Sequence, residues 1–125
     1  MKKLIQTRLH NPPISRGNCF PTVIACIMDL DSPEDVLQVQ EIYGLEDRDW
    51  HIELENWLND RGWEKEYIKG HLFDDSFYFV SGVSPRNPNV FHVCIYQNGK
   101  LYHDPHPDNT GILTEDHFEY LFKKE

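Results

Sequence analysis

The stretch Arg16-Gly17-Asn18-Cys19-Phe20-Pro21-Thr22-Val23-Ile24-Ala25 passes from polar, flexible residues into an apolar run. Proline is tolerated in a helix only within the first turn, so Pro21 places Cys19 at a helix start. We therefore predict a helix from Cys19 that closes at Asp29 to Asp31, and a thiol at the helix end whose dipole favours a thiolate. The apolar positions have the spacing of one buried helical stripe: Phe20, Val23, Ile24, Ile27 and Met28.

The composition bounds the size of the fold and the class of partner. The 125 residues, 39% of them hydrophobic, suit a single domain over residues 1–125 with its own core. A net charge of −9 argues against a nucleic-acid partner. We expect no membrane span and no signal peptide, because the sequence lacks the apolar run that either would need. Three cysteines without a C-x-x-C pair suggest neither a disulfide framework nor a zinc finger, so we expect a reducing, cytoplasmic setting.

Periodicity and turn residues predict the remaining elements. Helices come first and antiparallel strands follow, which predicts an α+β domain with N-terminal helices packed on a C-terminal antiparallel sheet. The predicted elements are a short helix from Pro33 to about Gln40, a helix from Trp50 that stops at Arg61-Gly62, strands at Trp63–Ile68 and Phe77–Val83, hairpin strands at Val90–Tyr96 and Lys100–Asp104, and a short helix after Thr114-Glu115-Asp116.

The loop of the predicted hairpin decides whether His92 and Asp104 can meet. A two-residue Asn98-Gly99 turn would place their side chains on opposite sides of the sheet. A three-residue loop that begins at Gln97, with Gly99 as a bulge, would place them opposite each other on one face. Asn-Gly permits both turns, but only the three-residue loop pairs the imidazole with the carboxylate, so a catalytic site predicts that loop.

Each candidate residue also has an ordinary structural explanation. Cys26 and Cys94 are expected to be small residues of the core. For Cys19 a reactive thiol and a buried core residue are equally plausible, because polar residues precede it. His92 alone would be a half-buried strand histidine. Asp104 alone would be a turn residue before proline.

Two further features could carry chemistry. The Gln6 amide could donate to an oxyanion together with the backbone N–H of Cys19, although its spacing alone suits an ordinary polar residue. The run that contains His103, Asp104 and His106 could form a metal site, but its ligands are local and face solvent. We therefore expect no dedicated metal site and no cofactor.

Several motifs together resemble one known family. They are Gln6-Thr7, Gly17-Asn18-Cys19-Phe20, Ser84-Pro85-Arg86, His92, Asn98-Gly99 and His103-Asp104-Pro105-His106-Pro107. The combination is similar to small bacterial and phage proteins of the papain-like cysteine-peptidase fold, relatives of the bacteriocin-processing, double-glycine-type leader peptidases. The resemblance extends from Gln6 to about Leu113.

The resemblance implies a papain-like fold and a role for each site residue. Cys19 would be the nucleophile, His92 the general base and acid, Asp104 the residue that orients the imidazole, and Gln6 the oxyanion donor. The residues around Cys19 differ from those of the plant and lysosomal enzymes, which carry a flanking cysteine and tryptophan. The chain is also shorter than a two-lobed protease, which favours a small substrate, a chain terminus or an acyl-transfer reaction.

Two functions follow as expectations from the sequence. The first is a thiol-dependent hydrolase or acyl transferase that acts on an amide, isopeptide or thioester bond of a peptide, a protein terminus or a small acyl substrate. The second is a non-catalytic binding module on the same fold that sequesters a small ligand or a host protein. A metal-dependent hydrolase built on His103, Asp104 and His106 is a third alternative.

Overall fold

In a computed structural model, which describes residues 1–11 and 16–124, the first helix lies where the sequence predicts it. Helix α1 spans Cys19–Met28 and carries Pro21 in its first turn. It ends at Asp29, whose backbone is left-handed with φ 60°. Helix α2 spans Trp50–Asp60, and the side chain of Asp49 caps it by accepting from two backbone N–H groups. Cys19 therefore stands at a helix N-terminus, as predicted.

The predicted helix from Pro33 to about Gln40 is wrong. Two short 3-10 turns, Pro33–Asp35 and Val39–Glu41, replace it, because Val36 between them is extended with ψ 150°. The Gln38 side chain donates to the carbonyls of Pro33 and Val36 at 2.8 Å each. A side-chain amide thus supplies bonds that a continuous helix would make from its own backbone.

Five antiparallel strands form one sheet behind the helices, so the chain is an α+β domain. The sheet has the order β1-β5-β2-β3-β4. Its strands are β1 at Trp63–Ile68, β2 at Phe77–Val83, β3 at Phe91–Gln97, β4 at Lys100–His103 and β5 at Thr114–Lys123.

The predicted C-terminal helix is wrong, because its residues form β5 between β1 and β2. Phe118, Leu121 and Phe122 have helical spacing, but the same segment also alternates between two faces. Glu119 and Leu121 are buried on the helix side, and Phe118 packs against the opposite side. Residues 114–119 pair with β2 and residues 118–123 pair with β1, so the segment has a strand partner along its length, which outweighs weak helical propensity.

The predicted three-residue hairpin loop is also wrong, although His92 and Asp104 do meet. Asn98 and Gly99 form a two-residue turn with φ 53° and 76°, and Gln97 pairs with Lys100. The register then shifts, because Tyr96 pairs with Leu101 whereas Ile95 pairs with His103. Tyr102 is the extra residue, so a bulge within β4, and not the hairpin loop, places Asp104 on the same face as His92.

The sheet buries both of its faces. Val23 and Ile24 of α1 share a core with Phe79, Val93 and Ile95 on one face. The other face carries a smaller cluster of Tyr78, Val80, Cys94 and Tyr96. Among the described residues, no helix is long and apolar enough to cross a membrane.

Candidate active site

His92 and Asp104 form a buried pair where β3 begins and β4 ends, at the end of the two strands away from their hairpin turn. The Nε2 atom of His92 lies 2.6 Å from Oδ1 of Asp104. The two residues are 4% and 1% exposed. The Asp104 carboxylate also accepts from the backbone N–H of His106 at 2.9 Å and of Gly111 at 2.8 Å. The loop after β4 therefore wraps around this carboxylate and fixes its direction.

Burial and the contact between His92 and Asp104 shift the pKa of each group in opposite directions, and the effect of the contact is the larger one. Burial disfavours a charged imidazole, but the hydrogen bond to Asp104 and the neighbouring Cys19 sulfur raise the pKa of His92 to about 11. Burial also disfavours a charged carboxylate, but the bonds from His92 and two backbone N–H groups lower the pKa of Asp104 to about 2. The ring is held in its protonated form, and Asp104 fixes its orientation.

Cys19 lies beside His92 from the helix side. It is partly exposed, whereas Cys26 and Cys94 are fully buried, and all three thiols are free. Because Nε2 of His92 is bound to Asp104, Nδ1 is the ring nitrogen left for a sulfur atom. In the described part of the chain, Sγ of Cys19 makes no direct hydrogen bond of standard geometry, but the sulfur lies close enough to raise the pKa of the His92 ring.

Cys94 is a second sulfur beside the same imidazole. Its side chain belongs to the cluster on the far face of the sheet, and burial raises the pKa of its thiol to about 11. The sequence gives it the role of a small core residue, and its full burial agrees with that role. Cys19 is the thiol that solvent reaches.

Gln6 joins the site from the N-terminal segment. Its backbone N–H donates to the carbonyl of Pro105 at 2.8 Å, which ties the segment to the loop after Asp104. Its side chain is 8% exposed, and Nε2 donates to the Arg8 carbonyl at 2.9 Å. Nε2 therefore keeps a second hydrogen, while Oε1 has no partner in the described part of the chain. Gln6 and Cys19 line the same cleft.

Asn18 ties the start of α1, directly before Cys19, to the N-terminal segment, a contact that the sequence did not predict. It is fully buried directly before Cys19, and its Oδ1 accepts from the backbone N–H of Arg8 at 3.0 Å. Its Nδ2 donates to Thr7 at 2.8 Å and to Glu34 at 3.1 Å. One side chain thus holds the segment of Gln6 against the start of α1. The sequence feature that could have indicated this role is an asparagine directly before an apolar helix, because its side chain can make up to four hydrogen bonds.

Two clefts open on either side of Cys19 and His92. The first, which we call the polar cleft, has a volume of about 360 Å³, and its other walls include Gln6, His10, Ser84, Arg86, Val90 and His106. The second, the aromatic cleft, has a volume of about 430 Å³, and its other walls include Phe20, Tyr43, Trp50, Tyr67, His117 and Glu119. Phe91 borders both clefts and is 52% exposed.

The residues of the proposed metal site do not come together. Nε2 of His103 lies 2.6 Å from the Leu4 carbonyl, and Nδ1 of His106 accepts from the backbone N–H of Asp108 at 3.1 Å. Within the described residues, the group with ligand atoms close enough for a shared ion is His92, Cys94 and Asp104. The pairing of His92 with Asp104 already accounts for that proximity.

Comparisons with protein-family models, with curated proteins and with solved structures find no match. The geometry around Cys19, His92 and Asp104 is therefore the basis for any functional conclusion.

Proposed function

We propose that this protein is a thiol-dependent hydrolase or acyl transferase with a papain-like fold. The observation that carries the proposal is the 2.6 Å contact between His92 and Asp104, with Cys19 beside the same imidazole at the start of α1. A nucleophile, a base and a group that orients the base are the three parts of a triad. The two helices and the antiparallel sheet are compatible with that fold.

The first step would be attack on a carbonyl carbon by the Cys19 sulfur as a thiolate, beside the imidazolium of His92. The raised pKa of His92 keeps the proton on the ring, and Asp104 holds the ring in place. The carbonyl becomes a tetrahedral intermediate that carries a negative charge on oxygen. The second Nε2 hydrogen of Gln6 and the backbone N–H of Cys19 are the donors we assign to that oxygen.

The intermediate would then collapse to a thioester on Cys19. His92 gives its proton to the leaving amine or thiol, and the C–N or C–S bond of the substrate breaks. Water or another acceptor next attacks the thioester, and His92 takes the acceptor's proton. The C–S bond to Cys19 then breaks, and Cys19 leaves as a thiolate beside the protonated ring, which restores the starting site. The acceptor decides between hydrolysis and acyl transfer.

The clefts favour a short substrate. Their volumes accommodate a few residues on each side of the reacting carbonyl, so we propose a peptide, a protein terminus or a small acyl compound. The three free thiols suit a reducing compartment, and we propose the cytoplasm.

Intact mass spectrometry after incubation with electrophilic peptide and acyl probes tests the proposal. We expect one adduct on Cys19, its loss in Cys19→Ala, and its persistence in the matched control Cys26→Ala, which removes a buried thiol away from His92. Iodoacetamide should alkylate native Cys19 faster than the same thiol in denatured protein between pH 5 and 9. Equal rates across that range would refute an activated nucleophile.

The binding module is the competing function, and the two open clefts favour it as a second candidate. It predicts that Cys19→Ala still binds the natural ligand and that no probe acylates Cys19. A thioester adduct of wild-type protein that decays in water would exclude a purely sequestering role.

A further inference from the structure

The two clefts differ in charge. The chain has 21 acidic residues, yet none lies among the described residues that line the polar cleft. Arg86, His10, His92 and His106 line it instead. The aromatic cleft contains the carboxylate of Glu119. In a protein of net charge −9, the polar cleft is therefore a local exception that suits an anion.

Arg86 is held in place by one edge of its guanidinium group. Its Nη1 atom donates to the carboxylate of Asp108 at 2.9 and 3.1 Å and lies 3.0 Å from Oγ1 of Thr110. Within the described part of the chain, Nε and Nη2 have no partner. Asp108 neutralises part of the charge but uses only one nitrogen, so the remaining N–H groups of a fixed fork can still bind a carboxylate.

His106 adds a second donor next to the catalytic base. Its ring lies 6.2 Å from that of His92, and the two planes are nearly perpendicular at 82°. Burial and the charge of Arg86 lower the pKa of His106, which keeps the ring neutral. Nδ1 accepts from the backbone N–H of Asp108 at 3.1 Å and also lies 3.0 Å from Oδ1 of the same residue. We assign the tautomer from the backbone N–H, which can only donate, so the proton of the neutral ring lies on Nε2.

We infer that the polar cleft is a carboxylate-binding subsite, in which Arg86 and His106 hold an anionic group of the substrate beside the bond that Cys19 attacks. The inference deepens the proposed function and rests on it. The anion is either the terminal carboxylate of a short chain or an acidic side chain near the scissile bond. Arg86 acts here as a specificity-determining residue that contacts substrate, while the chemistry stays with Cys19 and His92.

Two alkylating reagents of nearly equal size separate charge from reactivity. Iodoacetate carries a carboxylate and iodoacetamide does not, so the ratio of their rates at Cys19 reports an anion site near the sulfur. We expect Arg86→Gln to lower this ratio roughly fivefold, because it removes one charge from a cleft that solvent partly screens. Arg86→Lys should retain most of the preference, because it keeps the charge.

Arg61→Gln is the matched control, since Arg61 stacks on Trp57 at the end of α2 and lines neither cleft. It removes the same charge and should leave the ratio unchanged. A ratio in Arg86→Gln within twofold of wild type would overturn the inference. Because the ratio cancels intrinsic thiol reactivity, it remains informative even if Cys19 proves unactivated and the proposed function fails.

Small peptides then identify the source of the carboxylate. Amide shifts in the ¹H–¹⁵N spectrum of Cys19→Ser should respond to acetyl-glycyl-glycine more than to its C-terminal amide if the site takes a chain terminus. A response to the amide of acetyl-aspartate instead would assign an acidic side chain. If no carboxylate shifts the Arg86 or His106 signals at millimolar concentration, the polar cleft is not an anion subsite.

Discussion

Replacing Asp104 with asparagine should abolish the unusual basicity of His92. The mutation keeps the shape of the side chain but removes a charge 2.6 Å from Nε2, at a position that is 1% exposed. With an effective dielectric constant near 20, that charge contributes about 6 kcal/mol, or roughly four pKa units. Burial then dominates, so we expect the pKa of His92 to fall from about 11 to 6.5 or below.

The ¹H–¹³C signals of the histidine rings measure this change directly. The titration is followed in Cys19→Ser protein with and without Asp104→Asn, so that the sulfur does not contribute. Asp116→Asn removes an exposed carboxylate that contacts His117 and serves as the matched control. The reasoning is refuted if His92 of the Cys19→Ser protein already titrates near 6.5, or if Asp104→Asn leaves its midpoint in place.

The same substitution should change how stability depends on pH. The raised pKa of His92 adds stability that is full below its unfolded value of 6.5 and is lost as the pH rises toward 11. The lowered pKa of Asp104 adds stability that is present above 3.8 and is lost as the pH falls toward 2. In urea unfolding, Asp104→Asn should therefore lower the free energy of unfolding by about 3 kcal/mol. This loss should be constant between roughly pH 4 and 6.5 and smaller on either side of that range.

Three other predictions concern the support of the site. Gly82→Ala should destabilise the fold by about 3 kcal/mol or more in urea unfolding, because its Cβ would lie 2.0 Å from the Thr114 carbonyl oxygen; Gly70→Ala, where a Cβ meets nothing within 4 Å, should be near neutral. Asn18→Ala should cost about 2–4 kcal/mol and slow Cys19 alkylation, since it releases the segment of Gln6; unchanged alkylation would remove its positioning role. Activity and melting temperature should survive a strong chelator, and loss of either would revive the metal-dependent alternative.

The N-terminal helix and most of the sheet could be predicted because local signals agreed with the fold. Pro21 alone placed Cys19 at the helix start, and strands β1 and β2 have the predicted limits. The C-terminal segment could not be predicted in the same way. The spacing of its apolar residues fits both a helix and a strand. The segment becomes a strand because the assembled sheet leaves a position between β1 and β2 that a strand can fill.

The site shows the same division between local and long-range information. The sequence left two hairpin turns open, and the catalytic hypothesis required an extra loop residue for His92 and Asp104 to pair. The structure has it at Tyr102, because Asn98-Gly99 already satisfies a tight two-residue turn. The position of a bulge depends on packing around the whole strand. The contribution of Arg86 to the polar cleft likewise depends on a distant contact, its bond to Asp108, 22 residues away.

The bond from His103 to the Leu4 carbonyl spans 99 positions of the chain, and Gln6 binds Pro105 in the same region. Such contacts form late, because a long loop must close before they contribute any stability. During synthesis Cys19 leaves the ribosome well before His92 and Asp104 exist. The thiol should therefore remain an ordinary side chain until the last strands pair, which would delay any activity until folding is nearly complete.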